Sequence, residues 1–335
     1  MPEHDWSVMP YAMGWLRDYP DFRDYTPHSL GKSNSEKPPP SELLGQVGVE
    51  SLRDIDPAQL PPDIDLRLWC SPIEDQGDLG SCTANAGVGL VEYFEKRADG
   101  QYLDASRLFL YKASRSLMHL TGDSGSYLRA TMAALVLFGT PPEEYWPYTD
   151  KSPNFDAEPS AFCYAFAENF KTITYYRYDP PGTPLDQLLL RVKTNLAAGL
   201  PAMFGFTVYS SLSQANVTGK IPFPMAGERI LGGHAVDVVG YDDSLKIKNS
   251  APAATETTGA LLIRNSWGSG WGDQGYGWLP YDYVLQGVAT DWWSIISEKW
   301  VDLGNFGLTT VSTTKRAATI SPAGGRRTRE RRPAA

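Results

Sequence analysis

Apolar and polar positions change their rhythm twice along the chain. Residues 1–60 are rich in Pro, Asp and Tyr and keep no sustained period. From residue 82 to about 170 the spacing is helical. TANAGVGLVEYFEKRA after residue 82 and SYLRATMAALVLFG over 126–139 both repeat apolar residues at three and four, and each is followed by a Gly. After 170 the pattern shortens into β-type segments, KTITYYRY, AMFGFTVY, HAVDVVGY, GALLIRNSW and GYGWLPYDYV, separated by Gly, Pro and Asp, with one helix near 184–198. A helical half followed by a strand-rich half predicts an α+β protein of two lobes packed side by side. SNSEKPPPSE at 33–42 reads as an exposed linker, because Pro blocks helix and central strand alike, and NSAPAATETTG at 249–259 reads as a loop between two strands.

Composition narrows the class. Of 335 residues, 42% are hydrophobic and 21% charged, which is enough to build a substantial core. No apolar run reaches the length of a membrane-spanning helix. The start, MPEHDWSVMP, has acidic residues and prolines in place of a basic, then apolar, export signal. The expectation is a cytoplasmic protein, or one exported outside the general secretory route. A net charge of −9 argues against nucleic-acid binding by the body of the protein. RRTRERR at 326–332 runs against that trend, but Gly, Pro and Ala surround it, as in a solvated tail.

Chemistry enters through the cysteines. Cys70, Cys82 and Cys163 are an odd number, so at least one thiol is free, and none has the spacing or neighbouring histidine of a metal site. DQGDLGSCTANAG delivers Cys82 through a Gly- and Asp-rich loop to a helix start whose first turns are small. Unpaired amides there favour an anion, so the position predicts a thiol that ionises readily, the alternative being a small buried hydrophobe. Of the four histidines, His234 follows Gly232 and Gly233 and leads into the strand pattern AVDVVGY. There it can face a cysteine on the other lobe and exchange a proton with it, or be a hydrogen-bonded sheet-edge residue. Asn265 ends the apolar segment GALLI and has an oxygen to accept an imidazole N–H, with Trp267 placed to shield that bond.

Taken in order, Gln76 six residues before the cysteine of GSC, then GGHA, then RNSWGSGWGDQGY resemble the papain-like cysteine peptidase family over about residues 61–300. The resemblance implies a papain-like two-lobe fold: a helical lobe over about 75–165, a β-barrel-like antiparallel sheet lobe over about 166–300, and an active-site cleft between them. It implies Cys82 as nucleophile, His234 as acid and base, Asn265 as the residue orienting the histidine, and Gln76 as an oxyanion donor beside the Cys82 N–H. Trp267 would cover the Asn–His pair and line the leaving-group side, with Trp271 as the second tryptophan of that motif. Gly125, beside Ser124, resembles the glycine that pairs with an extended substrate, and Gly233 and Trp267 join the substrate-binding set. The implied partner is a peptide or protein, with no cofactor or metal, acting as a monomer. Leu79 and Thr83 stand where the family usually has Cys and Trp, which fits a bacterial-type branch and removes a common disulfide. Transglutaminase-like acyl transfer or amide hydrolysis, and a peptide-binding pseudopeptidase, are the competing classes. Residues 1–60 are expected to regulate as a zymogen-like segment, with GWLRDYPDFRDY on the lobes and the 30s to 50s at the cleft, or else to brace the fold. Residues 301–335 are a C-terminal extension.

Overall fold

A computed structural model describes residues 11–21, 24–27, 39–47, 49, 57–170 and 174–307. The Arg-rich tail, residues 28–38 and residues 50–56 lie outside the described residues.

The helices are α1 (Pro40–Gln46), α2 (Cys82–Asp99), α3 (Arg107–Leu117), α4 (Leu128–Phe138), α5 (Ala161–Ala167), α6 (Leu185–Ala197), α7 (Asp282–Leu285) and α8 (Glu298–Asp302). The strands are β1 (Trp15–Leu16), β2 (Asp63–Asp65), β3 (Ser126–Tyr127), β4 (Thr174–Arg177), β5 (Ala202–Tyr209), β6 (Ile230–Lys248), β7 (Glu256–Arg264), β8 (Tyr276–Pro280) and β9 (Ala289–Ile296). α2, α3 and α4 form the helical lobe. β4–β9–β5–β6–β7–β8 form the sheet of the other lobe, with β2 added to β6, and its pairings are antiparallel. The fold is therefore the α+β, two-lobe arrangement with a cleft between the lobes.

α2 lies at the join. It packs on α3 and α4 on one side and on β5 and β6 on the other. Its small residues permit this, since a Cβ at Gly89 would fall 2.2 Å from Arg264 Nη1, on the strand side. The helix ends at Gly100, whose φ of 78° is a left-handed cap and whose N–H bonds the Lys96 carbonyl.

Three local expectations change. The sheet does not close into a barrel among the described strands, because the outer edge of β8 bonds the 219–221 segment instead of β4: Trp278 N donates to Gly219 O at 2.7 Å and Ile221 N to Trp278 O at 2.9 Å. The predicted 249–259 loop is shorter, since Lys246, Ile247 and Lys248 pair with Thr258, Thr257 and Glu256. A Lys246–Glu256 ion pair of 2.9 Å supports that extension. The end of the proline-rich stretch is helical: Pro40 opens α1, where its missing N–H and fixed φ are tolerated.

Candidate active site

The loop before α2 is fastened to the far lobe. Gln76 N donates to Ser266 O at 2.9 Å, and Asp75 bridges to Trp267. The Gln76 side chain is itself oriented: its Oε1 accepts the Ser266 hydroxyl at 2.6 Å, while Nε2 donates to Leu79 O at 2.9 Å and to Ala12 O at 3.1 Å. Sequence reasoning did not single out Ser266, although its place between Asn265 and Trp267 was a signal.

His234 sits on β6 opposite Phe206 of β5. Its Nε2 lies 2.8 Å from Asn265 Oδ1. That oxygen also accepts the Ser266 backbone N–H at 2.8 Å. An amide nitrogen there would oppose the Ser266 N–H, so the atom facing the ring is oxygen and Nε2 carries the hydrogen. Nδ1 is then a lone-pair acceptor, and it is buried without a hydrogen-bond partner. Trp267 stacks on the imidazole with centroids 4.3 Å apart, and Trp271 meets Trp267 edge-on.

Cys82 begins α2 and is wholly buried. Burial pushes its thiol up to about 11, against hydrogen bonds from the backbone N–H groups of Ala235, Gly14, Thr83 and Cys82 itself. The sulfur is thus beside the residue that follows His234. Burial likewise lowers His234 to about 4, against the Asn265 bond. A readily ionised thiol was expected from the helix start alone; in this covered state desolvation outweighs the helix amides.

Among the described residues the cover is the N-terminal segment, residues 11–16; of the 30s to 50s expected at the cleft, residues 30–38, 48 and 50–56 lie outside the described residues. Tyr11 stacks on Trp267 with centroids 4.5 Å apart and planes 9° from parallel. Gly14 passes so close to the nucleophile loop that a Cβ would fall 1.7 Å from Gly80 O, which only glycine allows. β1 pairs in parallel with β3, and Ser126 N donates to Gly14 O at 2.8 Å. The pairing thus falls after Gly125 and Ser124; the Gly125 N–H is taken by the Tyr111 hydroxyl at 3.0 Å. Trp15 is buried against Gly205 and Gly233. Beyond it, Arg129 binds Asp18, meets both Asp24 oxygens at 2.8 Å and donates to Tyr19 O at 2.8 Å.

Behind the histidine strand lies a buried charged cluster that sequence reasoning missed. Asp237 and Arg264 face each other across β6 and β7, 3.7 Å apart, and Arg264 Nη2 also donates to Ser71 Oγ at 2.9 Å and Pro72 O at 2.7 Å. Ser71 binds Glu92 of α2. His234 stands three residues before Asp237 and Asn265 one after Arg264, so this cluster fixes the register that brings the two together. Cys70 and Cys163 are buried free thiols. Among the described residues no group of three or more His, Cys, Asp or Glu is placed to hold a metal ion.

Fold and sequence motifs define the class: this chain belongs to the papain family of cysteine proteases, matching the family description "Papain family cysteine protease" over residues 60–292. It is a hydrolase, a cysteine peptidase of the papain-like branch that resembles xylellain. The xylellain crystal structure, a cysteine protease from Xylella fastidiosa, is 31% identical with a TM-score of 0.65, covering 86% of this chain and 97% of that one. The uncharacterized peptidase C1-like protein L477 of Acanthamoeba polyphaga mimivirus is 34% identical over 87% of this chain and 88% of its own length. The ragweed pollen allergen Amb a 11, solved in its proform, shares the fold at 22% identity and a TM-score of 0.53, over 74% of this chain and 69% of that one.

Proposed function

We propose that the chain hydrolyses peptide bonds through Cys82, His234 and Asn265, with Gln76 as oxyanion donor, and that residues 11–16 restrain it by occupying the cleft. One observation carries the catalytic reading: Asn265 Oδ1 is held by the Ser266 N–H, which leaves the His234 Nδ1 lone pair buried, unpartnered and next in the chain to a residue whose N–H meets the Cys82 sulfur.

The chemistry follows from those positions. His234 Nδ1 takes the Cys82 proton, and the sulfur lone pair forms a bond to the substrate carbonyl carbon. The carbonyl π electrons move to oxygen, where the Cys82 N–H and Gln76 Nε2 receive the charge. When the oxyanion collapses, the C–N bond breaks and the amine leaves with the proton from Nδ1. Water then attacks the thioester, giving its proton to Nδ1 and restoring the thiol. Asn265 keeps the ring and its tautomer in place throughout.

The polarity of the N-terminal segment supports restraint over turnover. The Ala12 carbonyl rests on the Gln76 amide. Attack on it would make residues 13–16 the leaving group, yet these lie along β3 and the Trp15 slot, while Tyr11 lies on Trp267 at the leaving-group side. The sulfur also meets the Gly14 N–H, which is no electrophile. The segment therefore runs backwards through the cleft.

An epoxide-type thiol reagent tests both parts on the full chain. Labelling at Cys82, absent in Cys82→Ala, slow in the intact chain and faster when the segment is weakened, is expected alongside hydrolysis of a fluorogenic peptide. No labelling under either condition overturns the catalytic reading in favour of a peptide-binding protein, and fast labelling unaffected by the segment overturns the restraint.

A further inference from the structure

Trp15 shows what chemistry its slot accepts. The indole lies between Gly205 and Gly233, where a Cβ on either would fall 1.9 Å or 2.8 Å from the ring. These two positions leave room for a flat bicycle. At the end of the slot the ring N–H donates to Asp291 Oδ2 at 3.1 Å. Asp291 is wholly buried and held with φ of 63°, outside the ordinary range for a side-chain-bearing residue. Its other oxygen is already engaged: Oδ1 accepts Trp293 Nε1 at 2.7 Å and pairs with Arg177 Nη1 at 3.2 Å. Arg177 also meets Asp24 of the N-terminal segment at 3.7 Å, so when that segment leaves it stays committed to Asp291 and Asp179.

We infer that Asp291 determines substrate specificity in this slot, and that the peptidase selects peptides presenting a tryptophan there over aromatic residues of the same shape without an N–H. The inference rests on the proposed peptidase reading. Arg177 is shared between Asp291 and Asp179, so the carboxylate is only partly neutralised, and what singles out an indole is the hydrogen bond and not charge. Oδ2 faces the slot as a buried acceptor that goes unpaired when a Phe or Leu fills the space. A site built around such a bond discriminates strongly against an occupant that lacks it. The slot lies beside β3, on the acyl side of the cleft, so the selected residue precedes the cleaved bond.

The test uses the full chain carrying Trp15→Ala, which empties the slot. Fluorogenic peptides differ only at the two residues before the cleaved bond, which are varied in turn among Trp, 3-benzothienylalanine, Phe, Leu and Lys. Benzothienylalanine keeps the bicycle and replaces N–H by sulfur. At the position that fills the slot, kcat/KM is expected to be about tenfold or more higher for Trp than for benzothienylalanine. Asp291→Ala in the same background should bring that ratio towards one. Equal rates for the two bicycles, or a preference for Lys, overturn the inference. Should no peptide be turned over, the peptidase reading is decided separately by the Cys82 labelling experiment. Calorimetric binding of the same peptides to the Trp15→Ala, Cys82→Ala chain then still decides this one, with equal affinities for the two bicycles overturning it.

Discussion

Arg129→Ala is the perturbation that best isolates the proposed restraint, because Arg129 lies on α4 and is not among the residues hydrogen-bonded to His234, Asn265 or Gln76. It binds Asp18, both oxygens of Asp24 at 2.8 Å and the Tyr19 carbonyl at 2.8 Å. The size of the effect depends on burial. The arginine side chain is 25% exposed, but Asp24 is only 6% exposed. An exposed pair contributes up to about 1 kcal/mol, whereas breaking a buried one costs about 3–5 kcal/mol. Asp24 keeps Arg177 at 3.7 Å, which softens the loss. About 2 kcal/mol is the resulting expectation, which multiplies the open population by roughly 30. The assay is the second-order rate of Cys82 labelling by an epoxide reagent. In the wild type the rate should climb between 0.1 and 1 M salt, as the screening length falls from about 10 Å to about 3 Å. In Arg129→Ala it should start high and depend little on salt, with Arg129→Lys between them, since an ammonium cannot grip a carboxylate with two parallel bonds. An unchanged labelling rate with a wild-type salt response would refute the latch. A melting temperature measured alongside separates release of the segment from loosening of the whole protein.

Other outcomes can be read independently. Glu92→Gln tests the buried cluster through pH. Burial raises Glu92 to about 7, against the Ser71 bond and Arg264. A raised carboxyl disfavours the charged folded form, so its contribution to stability is lost as pH rises from about 4.5 to about 7. Removing that charge should make the protein more stable at pH 8 than the wild type by up to about 3 kcal/mol, with the gain shrinking towards pH 4, as read by urea midpoints. Gly89→Ala places a Cβ 2.2 Å from Arg264 Nη1 and 2.5 Å from Asp237 Oδ2, and should cost about 1–3 kcal/mol with an unchanged urea slope. In the Arg129→Ala background, Gln76→Ala should lower kcat by about 10²–10³-fold. Ser266→Ala, which only frees the Gln76 amide, should lower it roughly fivefold, and equal losses in the two would show that Ser266 does more than orient.

Much of this molecule was legible before its structure. Helical spacing after residue 82, the Gly that ends α2 and the segments of β5, β6 and β7 are local matters, settled by which residues fit a 3.6 or a 2.0 period. Cys82, His234, Asn265 and Gln76 were nameable for a related reason: their flanking Gly, Ser and Trp residues make motifs that survive as strings. At β3 the chain's own N-terminal segment bonds the Ser126 N–H, while the Gly125 N–H goes to the Tyr111 hydroxyl, a division that depends on α3 and is not local to the string.

What the string could not hold was anything that depends on two distant surfaces matching. The segment at the nucleophile is Tyr11–Trp15, chosen because an indole fits between Gly205 and Gly233 and reaches Asp291, 276 residues away. Neither end of that contact is unusual in its own neighbourhood. The same holds for Glu92, Asp237 and Arg264, ordinary charged residues in sequence that become one buried cluster only when α2 lies against β6 and β7. The state of the thiol is the clearest case. A helix start favours its anion, and that much is local; burial beneath a returning N-terminal segment reverses the balance, because desolvation is a property of the whole packed environment and has no signature in the residues beside Cys82.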